Sequence, residues 1–355
     1  MNPILVEAWR GDLVESFHRG SYAIVDADGA LVAAAGDIER PVFPRSAIKL
    51  LQALPLVESG AADRFVLSAP ELALACASHG GEAEHARTAA SMLSKAGMDD
   101  SVLECGAHWP YNEEASRALA AQGATPKALH NNCSGKHAGF VCLGCHLAGS
   151  LDQRGFLNGY VQHDHPLMRE VGAAIEACTG WPLDRAPRAI DGCSVPTYAI
   201  PLRHLALAFA RVASGHGLSA GRAAAAQRLR SAIAQAPFMV AGSGRMDTRL
   251  MSAFGERVCC KVGAEGMYCA ALPEWGLGVA LKMDDGNNAR ACEVALAALL
   301  QALGVARDEA QAQLLAALSN VTLRNWRGID VARLAAAAEL RRTLPGSAAP
   351  KQCGA

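Results

Sequence analysis

A chain of 355 residues has room for about two domains. Half of it is apolar (51%) and only 19% is charged, which excludes a disordered chain; a net charge of −1 excludes nucleic acid or an anionic membrane as the main electrostatic partner. The longest apolar stretches, 137–150 and 198–214, are too short for a membrane span or are broken by Arg203, His204 and Arg211. Residues 1–12 carry Glu7, Arg10 and Asp12 instead of a signal-peptide core. Without an export signal the twelve cysteines read as thiols, and their spacings form no disulfide framework. The expected setting is therefore soluble and cytoplasmic.

The chain opens with strand-like alternation at 4–9, 13–17, 22–26 and 31–35, and Asp28-Gly29 marks a hairpin turn. After Pro41 and Pro44 the spacing becomes helical from Ser46. Residues 70 to 235 read as mainly helical, with helices predicted over 70–77, 82–95, 113–121, 135–147, 167–179, 200–213 and 220–236. Strands return at 257–262, 267–272 and 277–283, the last two joined by a Pro273-Glu274-Trp275-Gly276 loop. Helices are predicted over 289–303 and 330–342, followed by a flexible tail at 346–355. The fold class expected is α/β of the α+β kind: an antiparallel sheet from both chain ends, packed with helices, plus an all-helical insertion. Residues 1–70 and 236–345 are assigned to the sheet domain and 71–235 to the helical one.

Lysine is scarce, seven against 26 arginines, so each lysine in a special setting draws attention. Ser46 and Lys49 lie three apart at a helix start and face one side. A neutral amine there takes the serine proton, the chemistry of a Ser-x-x-Lys nucleophile, although a cap serine beside an exposed lysine gives the same spacing. Lys261-Val262-Gly263 sits at a strand end, where it resembles the Lys-Thr-Gly strand of penicillin-recognising enzymes. Ser78, in Ser78-His79-Gly80-Gly81-Glu82, is a candidate second serine, or a helix cap. The run from His130 to His137 places Cys133 within one helical turn of Lys136 and His137. The turn Asp191-Gly192-Cys193-Ser194 offers a carboxylate and a second thiol. One thiolate from each turn with a nitrogen makes a tetrahedral zinc site with one open position. The competing readings are two buried, inert cysteines, or Cys193 as a nucleophile with a histidine partner. His163, His165, His204 and His216 read as surface or core residues.

Taken together, segments 14–20 (VESFHRG), 44–49 (PRSAIK), 77–82 (ASHGGE), 130–137 (HNNCSGKH), 191–196 (DGCSVP), 261–266 (KVGAEG) and 283–286 (MDDG) resemble the asparaginase II family, the rhizobial-type L-asparaginases. The resemblance runs from about residue 4 to residue 335. It implies a serine β-lactamase/glutaminase-like fold and an amidohydrolase acting on L-asparagine. It further implies one tandem of Ser46 with Lys49 and another of Ser78 with Lys261, a Zn²⁺ held by Cys133, Lys136 and Cys193, and a homodimer. Arg45 is the candidate clamp for the substrate α-carboxylate. Asp191 is expected to receive the α-ammonium or to support the metal, with the Gly263 backbone beside the substrate. Val262 stands where relatives that bind β-lactams carry a hydroxyl, which argues against β-lactam recognition. A glutaminase or another small amidase is the nearest alternative, because a single methylene separates the substrates. A non-catalytic zinc or metabolite module on the same fold is the second, and an envelope peptidase the third.

Overall fold

The structure is a computed structural model that describes residues Met1–Thr343; the tail expected at 346–355 lies outside them. Its strands are β1 (Ile4–Arg10), β2 (Leu13–Val25), β3 (Leu31–Ala35), β4 (Pro41–Val42), β5 (Arg188–Ile190), β6 (Pro196–Tyr198), β7 (Ile200–Pro201), β8 (Cys259–Val262), β9 (Met267–Leu272), β10 (Leu277–Met283), β11 (Asn320–Arg324) and β12 (Asp330–Ala336). The main sheet has the order β11-β12-β1-β2-β10-β9-β8, with β3 also paired to β2. The pairings that fix its register are antiparallel, so the sheet is built from both chain ends as expected.

Two sequence expectations change here. The runs at 13–17 and 22–26 are one thirteen-residue strand, β2. It passes the β10 backbone through Gly20, where a Cβ would come within 2.5 Å of the Lys282 carbonyl oxygen. The helix expected over 330–342 is instead β12 followed by a short helix, Ala338–Arg342. Alanine and leucine there mimic a helix, but β12 is claimed on both sides, by β1 (Val6 opposite Ala336) and by β11 (Val321 opposite Leu334). Tertiary pairing overrides local propensity.

The chain divides into two compact units. The first comprises Met1–Ala47, Ile200–Ser214 and the described residues from Cys260 onward, and contains the sheet. Helix Leu202–Ser214 lies on β2, β9 and β10, while Glu293–Ala302 lies on β1 and β12. The second comprises Ile48–Ala199 and Gly215–Cys259 and is mainly helical. These boundaries differ from the expected 1–70, 71–235 and 236–345. Helix Lys49–Glu58 buries eight side chains and packs on other helices of the second unit, and Leu202–Ser214 belongs with the sheet it covers.

Helix Ser134–Ala148 runs through the middle of the second unit and is buried on nearly all sides, as an apolar helix must be. Gly135 and Gly139, one turn apart, let it approach helix Ala69–Ala75 closely. A Cβ on Gly135 would lie 2.4 Å from the Leu74 carbonyl oxygen. This contact brings the residues just before Ser134 against those just after Ala75. Among the described residues no helix is long and apolar enough to cross a membrane.

Candidate active site

The second unit holds six of the expected site residues. Lys49, the first residue of its helix, is 1% exposed and donates from Nζ to the Ala77 carbonyl (2.6 Å) and to Cys133 Sγ (3.0 Å). Ser78 therefore follows directly on a residue that Lys49 holds. Its Oγ accepts from Asn132 Nδ2 at 3.1 Å, and its backbone N–H goes to the Val240 carbonyl. Lys136, equally buried, donates to Cys193 Sγ at 2.9 Å. Asp191 closes the turn that presents Cys193: its carbonyl accepts from Ser194 N–H and its carboxylate from Gly192 N–H.

The loop entering helix Ser134–Ala148 positions these groups by alternation. The Asn131 side chain accepts from Cys133 N–H and donates to the Cys105 and Gly106 carbonyls. Asn132 then serves Ser78, and Cys133 serves Lys49. His79 lies fully buried beside them, with Nε2 3.0 Å from Ser134 Oγ and Nδ1 accepting from Gly81 N–H. Ser134 Oγ donates to the Leu129 carbonyl, so His79 is the donor in that pair. Asn131, Asn132 and His79 escaped assignment from sequence, although the two asparagines stand in the polar run that drew attention. Tyr160, whose hydroxyl lies 2.6 Å from His137 Nδ1 and accepts from Glu104 N–H at 3.0 Å, and Glu104 lie in segments with no sequence signal.

The first unit holds Arg45, Ser46, Lys261 and Gly263. Ser46 lies in the 3₁₀ turn Arg45–Ile48. Gly263 ends the β8 segment against that turn, where a Cβ would meet the Pro44 carbonyl oxygen at 2.7 Å and Ala47 N at 3.2 Å. Glycine is thus required for β8 to run alongside the Ser46 turn. Lys261 is 3% exposed and donates to the Val262 carbonyl. Among the described residues four non-glycine residues have positive φ; Arg45 (52°) and Glu265 (59°) flank these segments, and Ser194 (76°) follows Cys193 in the second unit. Such conformations cost about 1–3 kcal/mol each and gather where function demands them.

Electrostatics in the cysteine cluster are asymmetric. Hydrogen bonding from Cys193, followed by the nearby Lys49 and Lys136 side chains, holds the Cys133 thiol well below its ordinary value against the opposing effect of burial. Cys193 is pushed up by the same bond to Cys133 and by burial. Burial pushes Lys136 down, but the charges on Cys193 and Cys133 outweigh it and leave it raised. Burial lowers His137 to about 4, so its ring is neutral near pH 7.

Among the described residues, no three His, Cys, Asp or Glu side chains gather as a metal site. The set expected from sequence includes a lysine. Cys133, Cys193 and Lys136 are buried, Lys136 Nζ donates to Cys193 Sγ and Lys49 Nζ to Cys133 Sγ, and His137 Nε2 is buried with no hydrogen-bond partner. Two sulfurs and an amine form a soft, nitrogen-containing donor set of the kind that suits Zn²⁺.

Comparison with known proteins bears on the chemistry. The chain covers 87% of its length and 73% of the other in matching a crystal structure of Mglu, at 17% identity and a TM-score of 0.37. A crystal structure of Mglu in its native form matches over 83% of this chain and 67% of that one, at 18% identity and a TM-score of 0.33. No curated protein matches. The family described as L-asparaginase II matches residues 6–336, which takes in every expected site residue. The chain belongs to the L-asparaginase II family and is an asparaginase-like amidohydrolase.

Proposed function

We propose that the protein hydrolyses L-asparagine to L-aspartate and ammonia through a serine acyl-enzyme, with a zinc ion close to the reacting groups. Family membership supports the amide chemistry. The observation that carries the residue assignment is the buried network of the second unit. It joins Lys49 to the residue before Ser78 and to Cys133, while Asn132 reaches Ser78 and Lys136 reaches Cys193.

In this reading Ser46 is the nucleophile and Lys49 its base. The Ser46 hydroxyl proton passes to the Lys49 amine as Oγ bonds to the side-chain amide carbon of asparagine. Ser78 and Lys261 form the second tandem, which delivers a proton to the amide nitrogen; the C–N bond breaks and ammonia leaves. Water then adds to the acyl carbon, the ester C–O bond breaks, and Ser46 regains its proton as aspartate is released. Backbone N–H groups stabilise the oxyanion, each worth about 2.7–4 kcal/mol. Gly263 N–H is committed to the Met267 carbonyl, so in this reading the donors come from Ser46 and the rest of the 262–264 backbone.

Arg45 binds the α-carboxylate as a fork, Asp191 receives the α-ammonium, and the Gly263 backbone lies along the substrate. Cys133, Lys136 and Cys193 hold the zinc, which when bound supplies positive charge near the substrate. The protein acts in the cytoplasm as a homodimer, with a small-molecule substrate and neither nucleic acid nor membrane as partner.

Ammonia release from L-asparagine and from L-glutamine is the test. A kcat/KM at least about tenfold higher on asparagine, roughly 1.4 kcal/mol, is expected. Equal turnover of glutamine would keep the chemistry and change the substrate, and release from neither would overturn the reading. Ser46→Ala is expected to abolish turnover; an acyl group trapped on Ser78 would reverse the two serines. Stoichiometric zinc retained in both Cys133→Ala and Cys193→Ala would remove the metal assignment.

A further inference from the structure

Residues 284–288 form the turn that leaves β10 and belong neither to the two tandems nor to the proposed metal ligands. The last of them bridges the loop between β8 and β9. Asn288 Nδ2 donates to the Gly263 carbonyl at 3.0 Å, and Asn288 Oδ1 accepts from Gly266 N–H at 2.9 Å. The turn is anchored in its own right. Met283 N–H donates to the Gly266 carbonyl at 2.8 Å, and Asp284 N–H to the Arg19 carbonyl at 2.9 Å. The Asp285 carboxylate accepts from Asn287 N–H at 3.1 Å and lies 2.5 Å from His18 Nδ1. Asn288 thus works from a base fixed to β2.

The Gly263 carbonyl is the partner with consequences. It shares one planar peptide with the Ala264 N–H, so a hold on the oxygen sets the direction of that N–H. Gly263 does not fix the plane by itself, because without a Cβ its backbone dihedrals are permissive. A larger residue cannot replace the clamp, since its Cβ would lie 2.7 Å from the Pro44 carbonyl oxygen. Close approach to the Ser46 turn demands glycine here, and the rigidity has to come from outside the residue. The Gly263 N–H, bonded to the Met267 carbonyl at 2.8 Å, fixes the peptide before it. Asn288 fixes the peptide after it.

We propose that Asn288 is a positioning residue for the amide hydrolysis. By holding the Gly263 carbonyl it aims the Ala264 N–H, so that this donor is already in place when the oxyanion forms at the acylating serine. Removing one preorganised donor of that kind lowers kcat about 10²- to 10³-fold, and loosening it costs part of that. The catalytic role rests on the function proposed above, whereas the clamp on the loop does not.

The experiment uses the full-length protein and two readouts. Hydrogen exchange at the Gly266 amide of the wild-type protein needs no turnover; exchange well below the rate of an unstructured chain is expected, and an unprotected Gly266 would overturn the proposal. Ammonia release from L-asparagine then separates kcat from KM. Asn288→Asp keeps the size and the acceptor for Gly266 N–H but turns an oxygen toward the Gly263 carbonyl. Asn288→Ala and Asn288→Asp are each expected to lower kcat and kcat/KM together, about 10- to 100-fold, with KM little changed. Wild-type kcat in folded Asn288→Asp, or a rise in KM alone, would overturn the proposal. Asn287→Ala is the control, because that side chain accepts from Arg290 N–H in the same turn and does not touch the loop. Its kcat should stay near wild type; an equal fall would assign the effect to the turn as a whole and overturn a specific role for Asn288. Wild-type protein that releases no ammonia from asparagine or glutamine would defeat the proposed function and this role with it. Active wild-type protein indifferent to the loss of Asn288 would defeat this role alone.

Discussion

Asn132 uses both of its hydrogen-bonding faces. Its backbone N–H goes to His108 Nε2 at 2.9 Å and its side-chain amide to Ser78 Oγ at 3.1 Å. The Ser78 oxygen is thereby held and polarised, independently of any metal. One such bond contributes about 1 kcal/mol, or more where a buried partner is left unmade. Asn132→Ala is therefore expected to lower kcat/KM on the amide substrate about 5- to 30-fold, with unchanged circular dichroism and thermal midpoint. Wild-type kinetics would mean that Ser78 needs no help from this side chain. A few residues upstream, Glu71 organises the helix that leads to Ser78. It is 3% exposed, and its carboxylate accepts from Ser68 N–H and Oγ, Ser91 Oγ and Lys95 Nζ. Burial raises its pKa, but these donors prevail and leave it below the ordinary 4.5. A carboxyl depressed in the folded state contributes stability above the unfolded pKa and loses it as pH falls through the folded value. Urea midpoints should therefore drop below about pH 4.5, and Glu71→Gln should lower stability at pH 7 by about 1–3 kcal/mol while flattening that acid slope. Parallel slopes for the two proteins would refute the assignment.

At the scale of elements, backbone approach decides which glycines are replaceable. Gly278 in β10 lies against helix Leu202–Ser214, where a Cβ would stand 2.0 Å from the Ala206 carbonyl oxygen and 2.3 Å from Ala210 N. Both neighbours are backbone, so the helix must lift off the sheet; Gly278→Ala should cost about 3 kcal/mol or more. Gly221, in helix Ala220–Gln235, has no atom within 4 Å of its Cβ position, and Gly221→Ala should raise stability by up to about 1 kcal/mol. Thermal midpoints moving in opposite directions check both, and a neutral Gly278→Ala would show that the sheet and helix can separate at little cost. The same distinction explains what could be read in advance. Helix Glu113–Ala121 and strands Met267–Leu272 and Leu277–Met283 fall at the bounds their periodicity predicts. They carry their own pattern. The β11–β12 hairpin was hidden because Asp330–Ala336 is alanine-rich, and its strand character comes from β1, more than 300 residues away. Helix Glu309–Ser319 was missed as well. In the candidate site, short motifs announced Lys49, Cys133 and Lys136, whose contacts to Ala77, Cys133 and Cys193 the fold supplies. Tyr160 and Glu104 matter only through a fold that sets residues 104, 137 and 160 in one line, and no local pattern encodes that.

For the whole molecule, the chain passes from one unit to the other after Ala47, Ala199, Ser214 and Cys259, so neither unit is a continuous segment. The proposed zinc ligands are distributed less evenly: Cys133, Lys136 and Cys193 all belong to the second unit. Stabilisation by a ligand reaches only those openings that destroy its site. At free zinc about 100 times its Kd, binding adds about 2.7 kcal/mol, equivalent to roughly 100-fold slower exchange for amides exposed only by opening the site. Helix Ser134–Ala148 carries Lys136, follows directly on Cys133 and is buried along most of its length, so its amides should show the full effect. The β11–β12 hairpin belongs to the first unit, and its β11 edge alternates exposed with half-buried residues. Local fraying there leaves the zinc ligands in place, and its exchange should not respond to zinc. Hydrogen exchange of the metal-free and zinc-loaded protein, followed segment by segment, distinguishes the outcomes. Slowing confined to the second unit supports a site built from Cys133, Lys136 and Cys193. Equal slowing in both segments would show that they open together, and no slowing in Ser134–Ala148 would place any bound zinc elsewhere.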